Sequence, residues 1–168
     1  MDVKSAFLHG TLDEQDCNPV STPSEYGLKL NKGSEGKKVD SSLFKQIVGS
    51  LMYLTANRPD IMHFISVISR YMENPTKMHL LAAKRILRYL QGTKQLGLFF
   101  KKGEKSELIG FTDSDFAGDQ DDRRSTLDYV FMFGIGVVSW LSKKQPIVTL
   151  STTEAEFVDV STCACQAI

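Results

Sequence analysis

The sequence predicts an α+β chain in which helices come first, short strands follow and a further helix comes last. Three observations predict it. Apolar residues recur three and four apart through residues 40–92. From Leu96 onward the apolar period falls to two. Ser151 followed by Glu154 then makes a capping box, the signature of a helix start.

Each element has its own justification. Residues 1–39 carry turn signals at Asn18-Pro19, Thr22-Pro23 and Tyr26-Gly27, then a polar loop, NKGSEGKK. Asp40 is placed to cap a helix whose apolar residues are Leu43, Phe44, Ile47, Val48, Leu51 and Leu54. Arg58-Pro59 interrupts it, and Pro59 suits the first turn of a second helix carrying Ile61, Phe64, Ile65, Ile68 and Met72. After Asn74-Pro75 a third helix spans about Thr76 to Leu90. Its Leu80, Ala83, Leu87 and Leu90 face a core, while Lys77, Lys84, Arg85 and Arg88 spread over the remaining surface. Gly92 suits its end. LGLFF (96–100) and ELIGFT (107–112) read as strands, and DYVFMFG (128–134) and VVSWL (137–141) as a hairpin across Gly134–Gly136. Trp140 is expected in the core. The last helix runs toward Ile168 without a terminator.

Composition narrows the function classes. The chain has 168 residues, 42% hydrophobic and 24% charged, which excludes a disordered tail and a collagen-like chain. Three cysteines make a disulfide framework an unsuitable reading. The absence of a long apolar run, and of a signal-peptide core in MDVKSAFLHG, predicts no membrane span and a cytoplasmic or nuclear location. Cys163-Ala164-Cys165 lacks zinc spacing, so free thiols are expected, with His9, His63 and His79 on the surface or on helices.

Twenty Lys+Arg balance twenty Asp+Glu, but not locally. Nine basic residues between Arg70 and Lys105 face two acidic ones; from Ser106 on, ten acidic residues face four basic ones. That order suits a polyanion track feeding a carboxylate site, or simply two solvated surfaces. TDSDFAGD (112–119) is the first chemical candidate. A strand ending in Asp-x-Asp places Asp113 and Asp115 on one face, and Mg²⁺ is the cation that would relieve them. Glu156, early in the last helix, is the second candidate, whereas Glu154 is explained by capping. Arg123-Arg124 is either a phosphate clamp or a pair neutralised by Asp121 and Asp122.

Longer motifs go further. GFTDSDFAGDQDDRRST, YVF and VSWLSKKQPIVTLSTTEAEF, in that order, resemble the ribonuclease H domain of copia-type retrotransposon polyproteins. KQIVGSLMYLTANRPDI and PTKMHLLAAKRILRYLQGT resemble the segment that joins reverse transcriptase to that domain, with CNPVSTP at its start. MDVKSAFLHG resembles the polymerase palm motif, with Asp2 as its metal-binding aspartate.

The resemblance implies three parts: a palm-motif stub at 1–16, a mainly helical connection segment at 17–95, and the leading part of a ribonuclease H-like domain at 96–168. It implies a mixed sheet opening with three antiparallel strands and a helix, its later strands missing, which leaves ELIGFT as an open edge prone to self-association. The second palm motif is absent, and the join falls around residues 11–16. The family activities that the resemblance implies are reverse transcription and cleavage of RNA in RNA–DNA hybrids, the latter by four carboxylates around two Mg²⁺ ions. Asp113 and Glu156 match two of the four, so cleavage by this chain alone is expected to be lost. Two other readings stay open: nucleic-acid binding without cleavage, through Lys84, Arg85, Arg88, Arg123 and Arg124, and recruitment of another chain by strand addition. Leu127-Asp128 and Asp159 depart from the family pattern, which has Ser-Gly and a small apolar residue there. An Asp159 that faces the sheet unpaired costs several kcal/mol or stays protonated.

Overall fold

The computed structural model describes residues 18–33, 36–99 and 107–168. The palm-motif stub, Asp2 and Cys17 lie outside them.

Helix α1 (Ser41–Leu54) begins as its sequence predicts, with the Asp40 carboxylate accepting the Ser42 amide at 2.8 Å. It buries Phe44, Ile47, Val48 and Leu51; Leu43 instead stands 46% exposed, because the stripe is one residue narrower than the apolar list. Arg58-Pro59 does break the helix. A 3₁₀ turn (Pro59–Ile61) leads into α2 (Met62–Ser69), which buries Ile65 and Ile68. Helix α3 (Lys77–Gly92) is capped by Thr76 with His79 as the reciprocal partner. Its deepest residues are His79, Ala83, Ile86 and Tyr89, with Leu80, Leu87 and Leu90 only partly buried at the margin of the core. Each fully buried apolar side chain of this cluster contributes about 1.5–3 kcal/mol relative to exposure.

An ion pair ties the helices together. Arg58 holds both oxygens of Asp60, at 2.9 and 2.7 Å, and also reaches Thr93 beyond the end of α3. Tyr89 donates to the same carboxylate at 2.8 Å.

The sheet is β1 (Leu108–Asp115), β2 (Thr126–Phe133) and β3 (Gly136–Lys144), antiparallel and in sequence order. Gly134, at φ 62°, makes the predicted hairpin turn. Helix α4 (Thr152–Ala167) packs on one face, where Leu127, Tyr129 and Phe131 meet Cys163. At Gly110 a Cβ would come within 2.9 Å of the Phe131 ring and 3.2 Å of Cys163 Sγ, so the close approach of α4 requires glycine there. The helical unit lies against the other face, through α2 and β3.

Two expectations need correction. Leu96–Phe99 form no strand, since nothing pairs with them among the described residues; residue 100 lies outside these. Trp140 is only half-buried, its indole reaching out to donate to the Thr55 carbonyl at 2.8 Å and so pinning β3 to the end of α1. Among the described residues, no helix is long and apolar enough to cross a membrane.

Candidate functional site

Asp113 and Asp115 share one face of β1, as alternation along a strand requires. In the ladder Asp113 stands opposite Asp128 of β2. Asp128 Oδ2 lies 2.7 Å from His63 Nδ1, on α2, so this face looks toward α2. The intervening Ser114 looks the other way, to Gln145 and through it to α4. Asp113 is exposed and leaves the sheet on the side away from α4, the helix that carries the exposed Glu156. Among the described residues no group of three or more His, Cys, Asp or Glu side chains gathers to hold a metal ion. Among the described residues these donors do not gather into a site that fits a resident Mg²⁺.

Asp115 has structural work instead. Its carboxylate accepts the Thr126 amide at the start of β2, closing the loop between the strands. Burial pushes its pKa up against that hydrogen bond.

Asp119 is the hub of the acidic turn. It is buried, and it pairs with Arg70 at the end of α2 (3.0 Å) and with Lys144 at the end of β3. It also accepts the Asp121 and Asp122 amides, at 2.9 and 3.3 Å. Burial alone would raise its pKa. The hydrogen bonds from Lys144 and the two amides outweigh burial and hold the carboxyl well below the usual carboxylate range. The turn needs left-handed backbone at Ala117 (φ 51°) and Arg123 (φ 58°), and these contacts hold it there.

His63 and His79 both lie on helices, as expected, and His9 lies outside the described residues. His79 is 1% exposed, its Nε2 3.1 Å from the Asn31 carbonyl, and burial lowers its pKa. His63 is half-buried, and its bond to Asp128 raises its pKa against the opposing effect of burial. Asp128 thus has a specific partner. Neither pairing follows a local motif, so neither was visible in the sequence.

The basic residues are mostly engaged. Arg85 pairs with Glu25 (3.2 Å) and donates to Thr22 (3.0 Å), anchoring the 22–25 segment to α3. Lys84 and Arg88 are half-buried on the same helix. Arg124 Nε lies 3.8 Å from Asp122, the neutralised reading of that residue, while Arg123 is exposed. Glu154 caps α4 as expected, accepting the Leu150 amide at 2.6 Å. Cys163 and Cys165 are free thiols.

A cavity of about 190 Å³ opens between the 23–30 segment, α2, α3 and the acidic turn, walled in part by His63, Arg70, Arg85 and Asp119. Its two arginines are already paired with carboxylates.

Comparison with known proteins places these elements in context. The chain is 46% identical over 145 residues to the Retrovirus-related Pol polyprotein from transposon RE1 of Arabidopsis thaliana, covering 86% of this chain and 10% of that one. It is 46% identical over 151 residues to the corresponding polyprotein from transposon TNT 1-94 of Nicotiana tabacum, covering 86% and 11%. It is 43% identical over 122 residues to Secreted RxLR effector protein 161 of Plasmopara viticola, covering 72% of this chain and 86% of that protein. The chain thus spans about a tenth of the length of the polyproteins. No protein-family description and no solved structure matches it.

Proposed function

The chain belongs to the sequence family shared by a segment of copia-type Pol polyproteins and by shorter proteins such as that effector; from this premise we propose that it is the connection segment and leading portion of a ribonuclease H-like domain. In this reading Asp113 and Glu156 are the two carboxylates that match the resembled Mg²⁺ site; they lie on different sides of the sheet and do not meet at one ion, and the chain alone does not cut RNA–DNA hybrids. The observation that carries it is the order of parts: a helical unit, a three-stranded antiparallel sheet with Asp113 on its first strand, and a capped helix with Glu156 packed on that sheet. Two separated carboxylates leave an attacking water without a fixed position, which costs of order 10²-fold or more in rate. The test is incubation of the purified chain with a labelled hybrid in Mg²⁺. Cleavage at background level, unchanged by Asp113→Asn, is expected. Cleavage that Asp113→Asn abolishes overturns the claim that the chain alone is inactive.

A second reading has its own observation. Strand β1 lies at the sheet edge among the described residues, with Leu108, Ile109 and Phe111 about half exposed. An unpaired edge with apolar flanks recruits another strand. This reading supports an interaction role without catalysis.

A further inference from the structure

Asp159 lies on the inner face of α4, 1% exposed. Its Oδ1 accepts from Gln145 Nε2 at 2.6 Å. The same nitrogen donates to the Ala155 carbonyl at 3.0 Å and lies 3.3 Å from Ser114 Oγ. The Gln145 backbone amide bonds the Ser125 carbonyl at 2.8 Å, so this one residue joins the end of β3, β1, the loop before β2 and α4. Among the described residues, Asp159 Oδ2 and Gln145 Oε1 are enclosed without a hydrogen-bond partner. Both are acceptors if the carboxyl is ionised, and beside the Gln145 amide only the Ser114 hydroxyl then supports the charge. A single proton on Oδ2 would turn one of them into a donor, and the amide oxygen is an acceptor without one.

Burial favours that proton and outweighs the hydrogen bonds from Gln145 and Ser114, which favour the ionised form. Glu156, one turn back on α4, and Asp128 of β2 both act against a negative charge at Asp159. The other groups on this side are Ser114 and Gly110 of β1, Tyr129 of β2, Gln145 after β3 and the buried thiol of Cys163, and none is cationic.

We propose that Asp159 and Gln145 form a protonation-dependent clasp: in the neutral form an acid–amide pair holds α4 on β1, and ionisation breaks the pair and loosens α4 from the sheet. This inference is independent of the nuclease reading. Burial raises the Asp159 pKa from 3.8 to about 6. A raised folded-state pKa contributes stability that is complete below the unfolded value and is lost as pH rises through the folded value. The window is therefore 3.8 to about 6.

The experiment is thermal unfolding of the full chain and of Asp159→Asn, a neutral isostere, from pH about 4 to about 7, together with carboxyl-carbon NMR of the wild type. The wild type should lose about a hundredfold in folding equilibrium relative to the variant across that range, the equivalent of two pKa units. The Asp159 carboxyl should titrate near 6, and amide exchange along α4 should speed up, after correction for intrinsic rates, as it does so. Parallel stability curves, or a carboxyl already ionised at pH about 4, would overturn the proposal. If the Asn variant does not fold, the wild-type carboxyl titration and α4 exchange decide alone.

Discussion

The carboxylate of Asp119 takes the guanidinium of Arg70 at 3.0 Å across 49 positions of sequence, and Lys144 closes on the same oxygen. One buried anion therefore fastens the end of α2, the acidic turn and the end of β3. Asp119→Ala should destabilise the chain by about 3 kcal/mol, because it leaves the largely buried Arg70 without its carboxylate and Lys144 with Asp122 alone. Urea denaturation of variant and wild type measures it. The pH dependence has a fixed sign. The Asp119 pKa is depressed, so its contribution is complete above the ordinary value of 3.8 and fades as pH falls below it. The Ala variant should therefore be the less acid-sensitive of the two.

His63 and Asp128 give the opposite sign. The raised His63 pKa means that the pair stabilises fully below 6.5 and that this contribution is lost as pH rises through the folded-state value. The imidazole should titrate above 6.5 in the wild type, as followed by ring-proton NMR. In Asp128→Asn the hydrogen bond to a charge is gone and burial is left, so the midpoint should fall below that of the wild type. An unmoved midpoint would show that Asp128 is not the cause.

The bond from Trp140 to the Thr55 carbonyl ties the sheet to the helical unit. Trp140 is the only tryptophan in the sequence, so its fluorescence reports this junction. Fluorescence and far-ultraviolet circular dichroism should give coincident unfolding midpoints if the two units melt together. Trp140→Phe, which removes the donor, should cost about 1 kcal/mol.

The β1 edge makes a prediction about association. Phe111 is 54% exposed on that strand. If the edge recruits a second chain, sedimentation should be concentration-dependent at micromolar levels, and Phe111→Lys should suppress the dependence without lowering the melting temperature. A wild type that sediments as a clean monomer would remove the strand-addition reading.

Local chemistry was legible in the sequence. Asp40, Pro59, Gly134 and the Ser151–Glu154 pair act within a few residues of themselves, and each stands where its spacing places it. The proposed site rests on resemblance alone, through Asp113 and Glu156. What the sequence hid are pairings across long separations: Arg70 with Asp119, His63 with Asp128, Gln145 with Asp159. No periodicity encodes these, because each depends on how finished elements pack. Leu96–Phe99 form no strand for the complementary reason. A two-residue period marks a segment able to form a strand, and pairing then depends on a partner.

The segment before α1 crosses the helices and reaches the acidic turn through the main chain of three consecutive residues. Leu30 offers its carbonyl to Tyr71 at 2.9 Å, Asn31 its carbonyl to His79 at 3.1 Å, and Lys32 its amide to Asp121 at 2.9 Å. This strap is gripped by its main chain, which every amino acid except proline supplies in full. Mutational latitude at Asn31 and Lys32 should accordingly be wide, with Lys32→Pro the exception, and a library randomised at these two codons should return nearly every residue type at both.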